Sequence, residues 1–171
     1  MCSVSGFRAP VPDPVEPGQE SVWDYPRPPR LEVSQRRVRV ELGGALIAES
    51  TRSLRVLETS HPPTYYVHPD DVAWDYLHPA TARGTFCEWK GQATYWTVAT
   101  GADRVEGGAW SYPEPTSTFA AIADHLAFYP ARFECYVDDE RVAPQAGGFY
   151  GGWVTSDLAG PFKGEPGTLG W

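Results

Sequence analysis

From Arg37 the side chains alternate, with Val38, Val40 and Leu42 on one face and Arg37, Arg39 and Glu41 on the other, until Gly43-Gly44 interrupts the pattern. A period of two marks a half-buried strand, and paired glycines supply the positive φ values of a tight hairpin. The apolar runs at 45–50 and 54–58 extend this into a three-stranded antiparallel meander, turned at Ser50-Thr51-Arg52. His61-Pro62-Pro63 then separates it from Thr64-Tyr65-Tyr66-Val67, a short aromatic and β-branched strand. Asp70 can cap a short helix on which Val72 and Tyr76 share a face. Further strands are predicted at 85–89 and 93–99, joined through Lys90-Gly91-Gln92, and at 107–112. A terminal hairpin at 132–137 and 140–142 turns through Asp138-Asp139. Only 115–128 carries a helical stripe, with Phe119, Ile122 and Leu126 on one face and Thr116 or Ser117 as its cap. The pattern predicts a mainly β domain over 31–145, with antiparallel sheets, one covering α-helix and one short helix.

The flanks lack this periodicity. Residues 1–30 form a proline-rich arm in which Pro10, Pro12, Pro14 and Pro17 prevent a regular ladder. Trp23 and Tyr25 are too apolar for a free tail, so this part of the arm is expected to pack on the domain. Residues 146–171 mix glycines with aromatic rings and read as a tail docked through those rings.

Composition narrows the class. With 17 Gly, 17 Pro and 13% aromatic residues in 171, the chain favours turns and short strands over a helical bundle. A formal net charge of −8 opposes a phosphate backbone, so nucleic acid is not expected as a partner. Arg36, Arg37 and Arg39 lie within an alternating pattern and read as a solvated strand face. Cys2, Cys87 and Cys135 are an odd number without framework spacing, which points to a reducing compartment. No apolar run approaches the roughly 18 residues of a membrane span, and the N-terminus lacks a leader pattern. A soluble, cytoplasmic protein with no membrane partner is the expectation.

Candidate chemistry concentrates in 84–96, where one thiol, one amine and four aromatic rings lie between two glycine turns. Cys87 could be a nucleophile whose thiolate is favoured by Lys90, or a small buried hydrophobe; the pattern places no histidine as its base. Glu58 closes an apolar strand, and Tyr65, Tyr66, Lys90, Tyr95 and Trp96 lie on strands that can converge with it. Trp96, Trp110 and Tyr112 are candidates for an aromatic cage. Three readings stay open. The groups can form a satisfied network of Glu58 and Lys90 beneath packed rings, as in a structural or interaction module whose pocket its own tail fills. They can bind a small organic molecule. Or Glu58 and Lys90, with Cys87 as a further candidate, can transfer protons on a small polar metabolite. His61 and His68 flank prolines, His78 follows the short helix and His125 falls on the covering helix, so each reads as a surface or capping residue.

The segment from Thr85 to Trp96 resembles the family known as domain of unknown function 427. It is preceded by Glu58, Pro62-Pro63, Tyr65-Tyr66 and Asp71-Val72, and followed by Trp110, Tyr112 and Pro113. The resemblance covers about residues 36–143, and residues 160–171 are similar to the tail of its actinobacterial members. It implies a β-tent fold, two antiparallel sheets meeting at an angle, related in shape to methionine sulfoxide reductase B and to the ligand-binding domain of cereblon. Relatives of that fold hold zinc between two Cys-x-x-Cys knuckles. Here Cys87-Glu88-Trp89-Lys90 has lysine in the second place and no second knuckle exists, so no metal or cofactor is expected, and the Lys90 ammonium is placed where a metal would sit, against carbonyls or Glu58. The family is sometimes labelled nucleotidyltransferase. That chemistry needs clustered carboxylates for Mg²⁺, whereas Asp70-Asp71 and Asp138-Asp139 read as helix-start and turn residues.

Overall fold

A computed structural model describes residues 9–171; Cys2 and the start of the proline-rich arm lie outside the described residues. Among these residues the chain is mainly β and does not close into a barrel. One four-stranded sheet runs in the order Ala127–Phe128, Arg104–Ser111, Thr94–Ala99, Leu77–Pro79. A second runs Glu140–Arg141, Glu134–Val137, Val38–Leu42, Ala45–Ser50. A three-stranded sheet pairs Arg30–Ser34, Ser53–Leu57 and Thr64–Tyr66, all antiparallel.

The alternation at 38–42 has the consequence expected of it. Val38 and Val40 are fully buried, facing Val137 and Cys135 across the ladder, where Cys135 is a buried thiol that burial holds protonated. The hairpin beside them turns through Asp138 and Asp139 at φ 47° and 69°, a left-handed geometry that aspartate tolerates. Arg36 Nε donates to Asp138 Oδ2 at 2.7 Å and Arg37 N–H to Oδ1 at 3.0 Å, which together hold that carboxyl below its usual range.

Two expected elements take another form. Ser53–Leu57 leaves the meander and becomes the centre of the three-stranded sheet. All five of its residues are buried, which requires cover on both faces and a strand on each side. In place of the covering α-helix there is a 3₁₀ turn at Ser117–Ile122, broken at Phe119, followed by the short strand Ala127–Phe128. The reason lies in the destinations of the apolar stripe. Phe119 and Ile122 pack into one hydrophobic cluster with Leu54, Tyr66 and Trp110, whereas Leu126 packs into another with Val40, Val98 and Trp153. A straight helix would point all three the same way. The short helix after Pro69 is likewise two 3₁₀ turns, Pro69–Asp71 and Trp74–Tyr76, and the His68 side chain rather than Asp70 caps the first.

The first sheet separates the two clusters, and neighbouring residues on its strands serve opposite sides. Arm and tail meet at a third cluster of Val22, Tyr25, Leu57 and Leu158. Glu20–Ser21 pairs in parallel with Leu158–Ala159, and Trp23 Nε1 donates to the Pro161 carbonyl at 2.9 Å. The tail is further fixed by Trp153, which is fully buried with its ring 4.9 Å from Tyr65 and its Nε1 donating to Phe128 O at 3.2 Å. Trp153→Ala should cost about 3–5 kcal/mol in urea unfolding. Limited proteolysis under native conditions should then cut first within 145–163; unchanged protection of that segment would contradict the anchoring role.

Candidate functional site

A cavity of about 350 Å³ opens where the second cluster meets the tail. Its walls come from four distant stretches: Val56 to Tyr66, Thr85 to Tyr95, Trp110 to Tyr129, and Gln145 to Lys163. Strand register explains which rings arrive. Tyr95 pairs directly with Trp110, so both project to the same side, and Tyr112 follows two residues on. Tyr66 enters from the three-stranded sheet, its hydroxyl 3.3 Å from Trp110 Nε1. Tyr129 stacks on Trp110 with ring centroids 4.4 Å apart. Burial raises the phenol pKa of Tyr66, Tyr112 and Tyr129, so these hydroxyls stay protonated and remain donors.

Of the residues read from the sequence, Glu58, Cys87, Lys90, Tyr95, Trp110 and Tyr112 line this cavity. Tyr65 and Trp96 do not, and the same register says why. Tyr65 lies one residue from Tyr66 and turns to Trp153 on the other side of its sheet. Trp96 pairs with Ala109, donates from Nε1 to Ser111 Oγ at 3.0 Å, and packs edge-on against Trp74. The expected contact of Lys90 with Glu58 is also not formed. Glu58 instead lies 3.4 Å from Arg27 Nη2 and 3.5 Å from His61 Nε2.

The sequence reads His61 as a surface or capping residue, whereas it is largely buried in the cavity wall, and it gives no sign of Gln145 or Lys163. Gln145 is buried and its Oε1 accepts from Gly152 N–H at 3.1 Å, which orients its amide. The NH₂ group then donates to the Lys163 carbonyl at 2.7 Å and faces His61 Nδ1 at 3.1 Å. Nδ1 is therefore the acceptor, and the neutral ring carries its proton on Nε2 toward Glu58. Burial pushes the His61 pKa down to about 4; Glu58 opposes the shift while Lys163, Arg27 and Lys90 add to it. Only the placement of His61 between two prolines and an acid hinted at this.

Cys87 is half-buried in a two-residue ladder with Gly91, and its thiol forms no hydrogen bond among the described residues. His61, the histidine that lines the cavity, has Nδ1 engaged by Gln145 and Nε2 turned toward Glu58, and no base forms a hydrogen bond with the Cys87 thiol among the described residues. Neither acidic pair is open to a metal. Asp71 binds Arg52 and Ser50, which hold its pKa near 2, and Asp139 binds Arg37 and Arg39. Among the described residues no three His, Cys, Asp or Glu side chains are grouped to hold a metal ion.

The chain belongs to the family described as a domain of unknown function (DUF427), which matches residues 30–139. Comparison with curated proteins gives no match. The tail residues that wall the cavity, Gln145, Phe149, Tyr150, Gly151 and Lys163, lie beyond the matched region.

Two outcomes follow from this geometry. An unfolded histidine takes up its proton near pH 6.5, whereas folded His61 does so near pH 4. Unfolding therefore binds a proton across that window. The stabilisation is complete above pH 6.5 and is lost as pH falls toward 4. His61→Gln should flatten the melting temperature against pH between 6.5 and 4.5. His125, also depressed by burial, and at the acid edge Glu20 and Glu106, whose carboxyls are held below their usual range, supply slope that remains, and Asp71 titrates below the window. An unchanged profile would exclude a neutral, buried His61. Secondly, a Cβ on Gly151 would collide with the Trp110 ring. Gly151→Ala should lower stability by about 1–3 kcal/mol and alter tryptophan fluorescence as wall and ring separate.

Proposed function

We propose that the cavity reversibly binds a small organic molecule, without chemistry on it, and that the protein is a cytoplasmic, metal-free binding protein. The observation that carries this reading is convergence. Four stretches spread over about a hundred residues bring aromatic faces and a few polar groups to one concave site, the usual make-up of a small-molecule pocket. Unbridged thiols at Cys87 and Cys135 are in keeping with the compartment. Among the described residues no helix is long and apolar enough to cross a membrane. The rival reading, an enzyme using Glu58 and Lys90 with Cys87, is less well supported, because Glu58 is already paired and Cys87 has no base beside it. The module filled by its own tail is also less favoured, since the tail forms a wall and leaves an open volume.

Mass spectrometry of the full chain under native conditions tests the proposal. The wild-type protein is expected to carry a small molecule that denaturation releases unaltered. Thr64→Phe, which projects a ring into the cavity from its half-buried wall position, should lose that mass while keeping the circular dichroism of the parent. No retained mass, together with no thermal shift across a metabolite panel, would overturn it. Release of an altered molecule would turn the reading to the enzyme.

A further inference from the structure

The chain has only two lysines, Lys90 and Lys163, against twelve arginines, and both lysines line the same cavity. They come from opposite walls, one from the turn after Cys87 and one from the tail. Eight of the twelve arginines lie within ion-pair distance of an Asp or Glu side chain among the described residues, and neither lysine does. The Lys90 ammonium forms no hydrogen bond among the described residues and lies 5.8 Å from the centre of the Tyr112 ring. The Lys163 ammonium donates at 3.2 Å to the main-chain carboxyl oxygen of Trp171, the last residue, and lies 5.9 Å from the Tyr150 ring. Glu58 is the one carboxylate among the lining residues, and it is taken by Arg27 and His61.

The cavity is thus electropositive in a chain of net charge −8. Tyr66, Tyr112 and Tyr129 keep their hydroxyl protons, so none of them adds negative charge to the lining. Both lysines act on His61 in the direction that disfavours its charge, so their potential reaches across the site. The half-buried Lys90 ammonium, with no partner among the described residues, is an open place for an anionic oxygen, and Lys163 keeps donors beyond the one given to Trp171. Lysine is suited to this because its three donors rotate to meet carboxylate or phosphate. The aromatic walls of Trp110, Tyr112 and Tyr129 offer flat faces for the rest of the molecule.

Given that the cavity takes a small organic molecule, as proposed above, we propose that this molecule is a planar organic anion, its carboxylate or phosphate met by Lys90 and Lys163 and its ring placed against Trp110 and Tyr112. Lys163 lies outside the family match, so part of the anion preference belongs to this chain's tail and part, through Lys90, to the shared domain.

Calorimetric titration of the full chain with four probes on one ring tests this: 2-naphthoate, 2-naphthyl phosphate, 2-naphthamide and 2-naphthylmethylamine. At least one anion should bind about ten-fold or more tighter than the neutral amide, the range expected of a charge-assisted hydrogen bond, and the amine should bind weakest. The stronger of the two anions identifies the group. Lys90→Met and Lys163→Met should each remove most of the preference while leaving amide binding within about two-fold. Because the two lysines are the only lysine side chains, acylation of each by a lysine-directed reagent, read by mass spectrometry, should slow when the preferred anion is present. Equal binding of amide and anion, tightest binding of the amine, or a preference that survives both substitutions would overturn the anion assignment and leave the binding reading intact. Failure of all four probes to bind at millimolar concentration would overturn the assignment to a planar anion, and the retained mass in the native experiment would then decide the binding reading separately.

Discussion

The cavity depends on an indole that does not touch its contents. Trp153 is buried between Tyr65 and the carbonyl of Phe128, and its own N–H donates to Pro63 O at 2.8 Å. Those contacts join the tail to two sheets at once. The residues just before it are then constrained. Gly152 passes so close to Pro62 and Gln145 that a side chain would not fit, and Gly151 lies flat against Trp110. Tyr150 and Gln145 are delivered to the cavity by this one anchor, and His61 takes its tautomer from Gln145. Removing the indole would loosen a wall, a hydrogen-bond relay and a core together, which is why a residue outside the family match governs a site largely built by the family's own strands.

The second constraint is the pleat. The sheet of Thr94–Ala99 and Arg104–Ser111 is buried on both faces, so each residue must choose a side. Tyr95 and Trp110 choose the cavity; Trp96 and Ala109 choose the larger core. Tyr65 and Tyr66 divide in the same way across the neighbouring sheet. A slip of one residue would exchange these sets, placing Trp96 in the cavity and Trp110 in the core. The bulge between Trp96 and Val98 takes up the mismatch without disturbing the Tyr95–Trp110 pair.

This pleat also explains what the sequence could and could not tell. Alternation at 38–42 named its strand, its inward face and its hairpin, because those depend on neighbours in the chain. The mainly β class followed from the same local signals. The stripe at Phe119, Ile122 and Leu126 misled, since its spacing is helical but its members belong to different clusters, a fact fixed by the fold around them. Tyr65 and Trp96 were drawn to the site because aromatic pairs in sequence carry no mark of which member faces in. Trp110 and Tyr112 were legible, being two apart on one strand. His61 and Gln145 stand 84 residues apart and meet through the tail, beyond the reach of spacing.

Charge follows a division of labour that ties these features together. Arginine, with its planar fork, serves the ion pairs of the surface and of the arm: Arg55, almost fully buried, donates to Glu20 at 2.7 Å and to Glu32 at 3.0 Å, joining arm to sheet. A buried cation of this kind is held by its partners and has no capacity left for a ligand. Lysine is kept for the cavity, where no Asp or Glu side chain among the described residues completes it. Burial keeps the His61 imidazole neutral, Gln145 sets its tautomer, and its Nε2 lies on the side of the only acid on the wall, 3.5 Å from Glu58. Arg27 takes up Glu58, and the Lys90 ammonium lines the open volume without a partner among the described residues.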